Sequence, residues 1–230
     1  PTSKTAGDAS FTLTVNGSGF VPNSLVLFAA TGKFNQGVAK ATNFVSATQL
    51  TATITAEDIQ SGGTFEIMVS NPLGGGTSGT LPFTVFNPVP AISSLNPASI
   101  AAGGSSFLLT VTGTGFVPTS TVNFNGSPRA TLFSSSTSVT AQILASDIAT
   151  SGSSNVTVTN PAPAGGTSAN FTFNILQINP VPTLTSISPT SGVLGQSVGM
   201  TLTGTNFISG SIVNFGANQN AGAIASGGDG

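Results

Sequence analysis

The sequence predicts an all-β protein built as a string of similar small modules, and three observations carry that prediction. Gly17-Ser18-Gly19-Phe20-Val21-Pro22 returns as Gly113-Thr114-Gly115-Phe116-Val117-Pro118 and again as Gly204-Thr205-Asn206-Phe207-Ile208-Ser209, at spacings of 96 and 91 residues. Such a period is too long for a solenoid turn and suits one small β domain. Around each copy, apolar residues fall on every second position, which is the period of a half-buried strand. Glycine- and proline-rich connections separate these segments.

The elements follow in order. Before the motif lie Phe11-Thr12-Leu13-Thr14-Val15, Phe107-Leu108-Leu109-Thr110-Val111 and Val198-Gly199-Met200-Thr201-Leu202. Each puts its apolar side chains on one face of a strand and its Thr residues largely on the other. Eight residues after the motif Phe, a second Phe closes Leu25-Val26-Leu27-Phe28, Thr121-Val122-Asn123-Phe124 and Ile212-Val213-Asn214-Phe215. Downstream, 50–54 matches 139–143 and 66–72 matches 155–161, both 89 residues apart. Module 1 therefore carries seven extra residues between Phe28 and Lys40, expected to form a surface loop. Gly-rich connections at 73–79 and 162–168 lead to last strands around Phe83-Thr84-Val85 and Phe171-Thr172-Phe173.

The joints repeat as well. Asn87-Pro88-Val89-Pro90 and Asn179-Pro180-Val181-Pro182 each place two prolines within three residues, which favours an extended, semi-rigid spacer and hence a rod of modules. A short strand follows each joint, Ala91-Ile92-Ser93-Ser94-Leu95 or Thr183-Leu184-Thr185-Ser186-Ile187, ending at Asn96-Pro97 or Ser188-Pro189. The expected modules are 1–87, 88–179 and 180–230.

Pro182-Thr183-Leu184-Thr185-Ser186-Ile187-Ser188-Pro189-Thr190-Ser191-Gly192, followed by Met200-Thr201-Leu202-Thr203-Gly204-Thr205-Asn206-Phe207, resembles the opening of an IPT/TIG domain. The resemblance extends over essentially the whole chain and includes the Val-Thr-Val-Thr-Asn-Pro strand of module 2. It implies tandem immunoglobulin-like β-sandwiches, a fold found in bacterial cell-surface and secreted proteins, animal receptor ectodomains and Rel-type transcription factors. A fold hosting so many roles does not by itself choose one. Two departures bear on the ends. Aligned with Pro97, Pro1 stands just after the place of a first strand, and module 3 passes into Gly216-Ala217-Asn218-Gln219-Asn220 and a Gly/Ala/Ser tail before its later strands. Both end modules read as open sandwiches whose backbone donors and acceptors call for partners.

Composition narrows the function. Charged residues are 4% of the 230, against roughly a quarter in ordinary soluble proteins. The surface is solvated by Ser, Thr, Asn, Gln and backbone, and its weak self-repulsion tolerates contact with copies of itself, a wall or sugars. Cys, His, Tyr and Trp are absent, which excludes disulfides, Ser-His and Cys-His nucleophiles and zinc sites built from His or Cys. Glu57 and Asp58 are the one adjacent acidic pair, and Ser146-Asp147 stands at the matching place in module 2. A carboxylate there most simply caps a turn before Ile59 or Ile148. No enzyme activity, cofactor or metal is expected. Nor is there a clustered Asp/Asn loop of the kind calcium needs.

Four cations, Lys4, Lys33, Lys40 and Arg129, are too few for a nucleic-acid surface that makes about 6 to 10 phosphate contacts. The longest apolar run, Leu25 to Ala30, falls well short of the ~20 residues of a membrane helix, so no membrane insertion is expected. Pro1-Thr2-Ser3-Lys4 lacks a basic region leading into an apolar one, as expected of a mature chain or an excerpt. Asn16, Asn125, Asn155 and Asn170 stand in Asn-x-Ser/Thr triplets, a pattern that chance produces readily in so Ser/Thr-rich a chain. Lys-Asn isopeptide cross-links are not expected, because module 2 has no lysine.

The expected role is a structural subunit of an extracellular filament or surface layer. Copies of the chain would join head to tail, with the strand Thr183, Leu184, Thr185, Ser186, Ile187 and Ser188, or the Gly-rich tail after Phe215, as the candidate donated segment. The alternative is spacer, ligand-presenting or carbohydrate-binding modules of a longer adhesin or secreted enzyme. For that reading Lys33 and Phe34, in the extra loop of module 1, are the candidate contact residues, with surface glycans as partner.

Overall fold

The structure is a computed structural model that describes residues 1–33, 37–215 and 220–223. Alternation decides which side chains turn inward. Leu13 is buried while Thr12 and Thr14 beside it are exposed, and Val139, Ala141 and Ile143 are buried along Ser138–Ile143. Contacts divide the chain into Pro1–Leu176 and Gln177–Gly230.

The first unit holds two sandwiches. In module 1 the strands are β1 (Ser3–Thr5), β2 (Phe11–Asn16), β3 (Leu25–Ala30), β4 (Val38–Ala39), β5 (Thr42–Ser46), β6 (Gln49–Ile54), β7 (Gly63–Ser70) and β8 (Leu81–Phe86). One sheet runs β1-β8-β7-β3-β4 and the other β2-β6-β5. In module 2 they are β9 (Ala91–Asn96), β10 (Ser99–Ala101), β11 (Phe107–Thr114), β12 (Thr121–Phe124), β13 (Ser127–Pro128), β14 (Thr131–Ser135), β15 (Ser138–Ile143), β16 (Gly152–Asn160), β17 (Gly166–Thr167) and β18 (Phe171–Leu176). Its sheets run β10-β18-β16-β12-β13, with β17 on β16, and β14-β15-β11-β9. The two modules are the same sandwich with two differences: β11 carries β9 on its outer edge while β2 pairs with β6 alone among the described residues, and β16 carries the short β17 where module 1 has the isolated bridge between Ser70 and Thr77.

The cores repeat in detail. Phe28 meets Phe83 edge-on at 6.0 Å and 66°, and Phe124 meets Phe173 at 5.8 Å and 66°. Such a pair adds about 0.5–1.5 kcal/mol beyond its buried area. Leu50, Ile54 and Val85 fill module 1, and Leu109, Ile143 and Val156 fill module 2.

Two kinds of element go beyond the sequence reading. The short strands β1 and β10 each lie parallel to the last strand of their sandwich, Ser3 opposite Thr84 and Ser99 opposite Asn174. The second unit contains β19 (Thr183–Ser188), β20 (Thr201–Thr205), β21 (Ile212–Asn214) and β22 (Asn220–Ala223). β19 pairs with β20, and β21 with β22. A strand therefore follows Phe215, where the sequence reading expected none; ladders are made by main-chain groups, so a small-residue segment such as Asn220–Ala223 can join one.

Candidate functional site

Each module of the first unit contains one built ion pair. Asp58 and Asp147 sit in the 3-10 turns Glu57–Ile59 and Ala145–Ile148, where each accepts the N–H of the residue three positions earlier: Thr55 at 2.9 Å, Leu144 at 2.9 Å. That is the turn-capping role the sequence suggests. Each also takes a cation from the edge hairpin of its sandwich. Lys40, just past β4, reaches Asp58 at 2.5 Å. Arg129, just past β13, makes a two-pronged contact with Asp147, Nε to Oδ2 at 2.8 Å and a second short bond to Oδ1. The four side chains are only 8–17% exposed. For Asp147 the Arg129 hydrogen bonds hold the carboxyl below its usual 3.8, against the upward push of burial. For Asp58 burial pushes upward most strongly, but the hydrogen bonds from Lys40 and Thr55 together outweigh it and the carboxyl again lies low. Carboxylates so held are structural staples, far from the raised pKa that a general acid needs. Sequence reasoning missed the cations, although Lys40 and Arg129 recur at the same spacing of 89 as the two aspartates.

The joint between modules 1 and 2 is a second built feature. Asn87 is 2% exposed. Its N–H donates to the Pro163 carbonyl and its carbonyl accepts from Gly165 N–H, both at 2.8 Å. Its side chain accepts from Gly62 N–H at 2.6 Å and donates to the Pro161 carbonyl at 2.8 Å. One residue thus ties the turn before β7 to the β16–β17 loop. Asn160, also 2% exposed, donates to the carbonyls of Pro88 (2.9 Å) and Gly115 (2.7 Å) while accepting from Ser120 Oγ at 2.5 Å. Val117, in the motif turn of module 2, joins the buried cluster of module 1. The Asn-Pro-Val-Pro spacer is a latch as well as a stiff segment.

The half of this latch contributed by module 2 is duplicated on module 1. Ser24 Oγ donates to Asn71 Oδ1 at 2.6 Å, and Asn71 Nδ2 donates to Gly19 O at 2.8 Å, copying Ser120, Asn160 and Gly115. Gly19 and Gly115 hold φ of +70° and +72°; in the third copy Asn206 takes +64°, a conformation that Asn tolerates. What differs is cover. Val21 is 39% exposed where Val117 is 1%, and Val15 is half-buried where Val111 is fully buried.

The difference lies along β2, on whose outer edge no strand is seated among the described residues. In module 2, β9 lies antiparallel on β11 with Leu95 opposite Val111 and Ile92 opposite Gly113, across a bulge. In the second unit, β19 lies on β20 with Ile187 opposite Leu202 and Leu184 opposite Gly204, again across a bulge. A side chain on Gly113 would strike the Ala91 carbonyl, and one on Gly204 the Thr183 carbonyl. Close backbone approach therefore explains glycine at both places. Gly17 occupies the equivalent position in module 1, where a Cβ would meet the Phe20 ring at 2.7 Å and no strand carbonyl. Beside it a cleft of about 240 Å3 opens between the sheets, walled by Val15, Phe20, Ile67 and Val69.

The other candidates are placed as follows. Thr183–Ser188 is β19, exposed along its length and paired with β20. Lys33 lies at a cleft of about 220 Å3 together with Phe28, Phe65, Lys40 and Asp58; Phe34 lies outside the described residues. Phe28 is buried and stacks on Phe65 at 4.6 Å, so its ring serves the core. Among the described residues no three His, Cys, Asp or Glu side chains come together as a metal would require, and no helix is long and apolar enough to cross a membrane.

Comparison with known proteins gives the family of module 2. Residues 90–175 match the IPT/TIG domain. No curated protein matches the chain. Among solved structures, the Yersinia pseudotuberculosis adhesin InvE is 18% identical, with a TM-score of 0.44, over 76% of this chain and 57% of that one. The plexin A4 extracellular region is 16% identical, with a TM-score of 0.35, over 82% and 16%. The Bacteroides ovatus glucan-utilization protein SGBP-B, solved with a mixed-linkage heptasaccharide, is 16% identical, with a TM-score of 0.30, over 79% and 44%. This chain thus spans less than two thirds of each of these three proteins. Residues 90–175 are an IPT/TIG domain, an immunoglobulin-like β-sandwich whose motifs recur on either side of it in the same chain.

Proposed function

We propose that the chain is a structural element of an extracellular bacterial filament or surface layer, in which modules follow one another head to tail by the latch seen between modules 1 and 2. The observation that carries this reading is the second copy of the receiving half of that latch on module 1, with Val21 and Gly19 exposed and Asn71 half-buried. An apolar side chain beside an amide that already holds its Ser and Gly partners suits another module of the same kind. The low charge supports it too, because 4% charged residues give copies little reason to repel. A head-to-tail contact does not close on itself and therefore extends.

The test is light scattering and negative-stain electron microscopy of the full chain across a concentration series. Lengthening particles are expected; a monodisperse chain at millimolar concentration refutes the reading. A spacer role within a longer surface or secreted protein is the second reading, favoured by the Asn87 latch, since a spacer needs fixed joints and nothing more. Glycan binding at the Lys33 cleft is a separate possibility, removed by a glycan array that shows no signal.

A further inference from the structure

We propose that the cleft of module 1 framed by Lys33, Lys40 and Asp58 binds an acidic sugar, a hexuronate residue of an extracellular polysaccharide, with its carboxylate on Lys33 and its hydroxyls on Lys40 and Asp58. The proposal rests on the glycan reading of that cleft, names the class of sugar, and is independent of head-to-tail joining.

Charge is scarce in this chain, and half of it gathers at one corner of module 1: Lys33, Lys40, Glu57, Asp58 and Glu66. That corner is where module 1 carries its seven extra residues. Module 2 closes the same hairpin with Asn125 and Gly126 alone, Phe124 standing opposite Ser127. In module 1 both arms of the longer connection are anchored. Thr31 donates to the Thr64 carbonyl through its N–H at 3.2 Å and its Oγ1 at 2.7 Å, Gly32 N–H reaches Glu66 Oε2 at 3.4 Å, and Val38 pairs with Phe28. Beside them opens the cleft of about 220 Å3, which suits one sugar ring.

Three groups at the cleft keep bonding capacity. Lys4, Lys40 and Arg129 each have a carboxylate partner, whereas Lys33, exposed at the cleft, has none among the described residues. Lys40 donates one side-chain hydrogen bond among the described residues, to Asp58 Oδ1, and an ammonium has three to give. Its counterpart Arg129 has three donors engaged, two on Asp147 and one on the Pro128 carbonyl. Asp58 Oδ1 takes only Lys40 among the described residues, because both Thr55 bonds fall on Oδ2. A donor beside an acceptor fits neighbouring sugar hydroxyls, each of which can donate and accept. Lys33 calls for a negative group on the same ligand, since a charge-assisted bond is roughly twice as strong as a neutral one. Val38 and the partly buried Phe65 supply an apolar wall for the C–H face of the ring. A few placed polar groups in an apolar-walled cleft are what fix a small ligand. An acidic peptide would satisfy Lys33 and bring no hydroxyls to Lys40 and Asp58, so the uronate fits better.

The test is a nuclear magnetic resonance titration of the isotope-labelled full chain with three probes: a galacturonate trimer, a galactose trimer of the same linkage, and sodium acetate at equal carboxylate concentration. The galacturonate trimer is expected to give saturable shifts at Ala30, Lys33, Val38, Lys40 and Phe65, and none around Arg129, where module 2 serves as the control. Lys33→Ala, at an exposed position, is expected to weaken this binding about fivefold, the worth of one exposed charge pair. Lys4→Ala is expected to leave it unchanged. No saturable shift at the cleft, or shifts of the same size at Lys4 and Arg129, overturns the site. Equal affinity for the galactose trimer overturns the carboxylate and leaves the glycan reading of the cleft standing. An equal response to acetate overturns the sugar.

Discussion

Replacing Asn87 by Ala removes two side-chain hydrogen bonds at a position that is 2% exposed, 2.6 Å from Gly62 N–H and 2.8 Å to the Pro161 carbonyl. Each bond contributes about 0.5–1.5 kcal/mol net, and a buried partner left unsatisfied costs about 1–3 kcal/mol. Water can reach part of a joint once it loosens, so a loss of about 3 kcal/mol is expected. That is on the order of a hundredfold in the ratio of latched to unlatched modules. The main-chain bonds of Asn87 to Pro163 and Gly165 survive the substitution, so the modules stay folded and lose their fixed relation. Residual dipolar couplings read this directly: modules 1 and 2 share one alignment tensor in the parent chain and need two in the variant. Asn87→Asp supplies a control. Its carboxylate keeps the acceptor for Gly62 but turns an oxygen toward the Pro161 carbonyl, so it should loosen the joint at pH 7. Below about pH 4 a protonated oxygen can donate and restore part of the latch. A single tensor in Asn87→Ala, with an unchanged urea midpoint, refutes the latch.

Further outcomes follow from the repeated geometry. Gly113→Ala drives a methyl group into the Ala91 carbonyl and should cost about 3 kcal/mol in urea denaturation, whereas Gly17→Ala displaces only the Phe20 ring and should cost about 1 kcal/mol; equal losses contradict the close backbone approach as the reason for Gly113. Val117→Asp puts a charge into the core cluster of module 1 and should destabilise by at least about 3 kcal/mol, while Val21→Asp should change the stability of the chain by under about 0.5 kcal/mol yet prevent lengthening in light scattering. Asp58 and Asp147 have folded pKa values below the ordinary 3.8. The stability they contribute is therefore fully present above about pH 4 and is lost as pH falls through the folded values. Asp147→Asn should lower the urea midpoint at pH 7 and flatten this acid limb, read by denaturation at a series of pH values.

Much of the architecture was legible because it rests on local pattern. Alternation at Phe11-Thr12-Leu13-Thr14-Val15 and the Gly-x-x-Phe motif specify strand and turn without knowledge of neighbours. What escaped depends on distance. β1 and β10 are three residues each and exist through parallel pairing with β8 and β18, strands some 70 to 80 residues away in sequence. The bond between Lys40 and Asp58 joins the edge hairpin to the turn leading into β7, so each residue alone reads as a surface charge; only the matched spacing of Arg129 and Asp147 marks them as partners. Asn87 reads as the first residue of a proline spacer, since nothing local says that its amide will face Gly62 and Pro161. Gly17 is the reverse case. Its glycine is visible in sequence and its reason is not, because the carbonyl that explains Gly113 and Gly204 has no counterpart at Gly17.

The distribution of charge explains why the joint is built from amides. Each sandwich of the first unit uses an ion pair internally, bracing the edge hairpin against the turn leading into β7 or β16, and a third pair among the described residues, Lys4 with Asp8 at 3.7 Å, is a weak surface contact. Apart from Lys33, Glu57 and Glu66, module surfaces are then left with main-chain groups, uncharged polar side chains and scattered apolar ones, so adhesion between modules has to come from hydrogen bonds with little net charge and from burial of residues such as Val117. Contacts of that kind are almost indifferent to ionic strength, because salt screens charges and has little hold on an amide facing a carbonyl. They are also directional: an Asn side chain satisfies Gly62 and Pro161 in one orientation only, which fixes the relation of neighbouring modules where a charged patch would merely attract them. A nearly uncharged surface and a precisely seated amide at the joint are therefore two sides of one solution, and an array joined in this way keeps its geometry in whatever salt surrounds it.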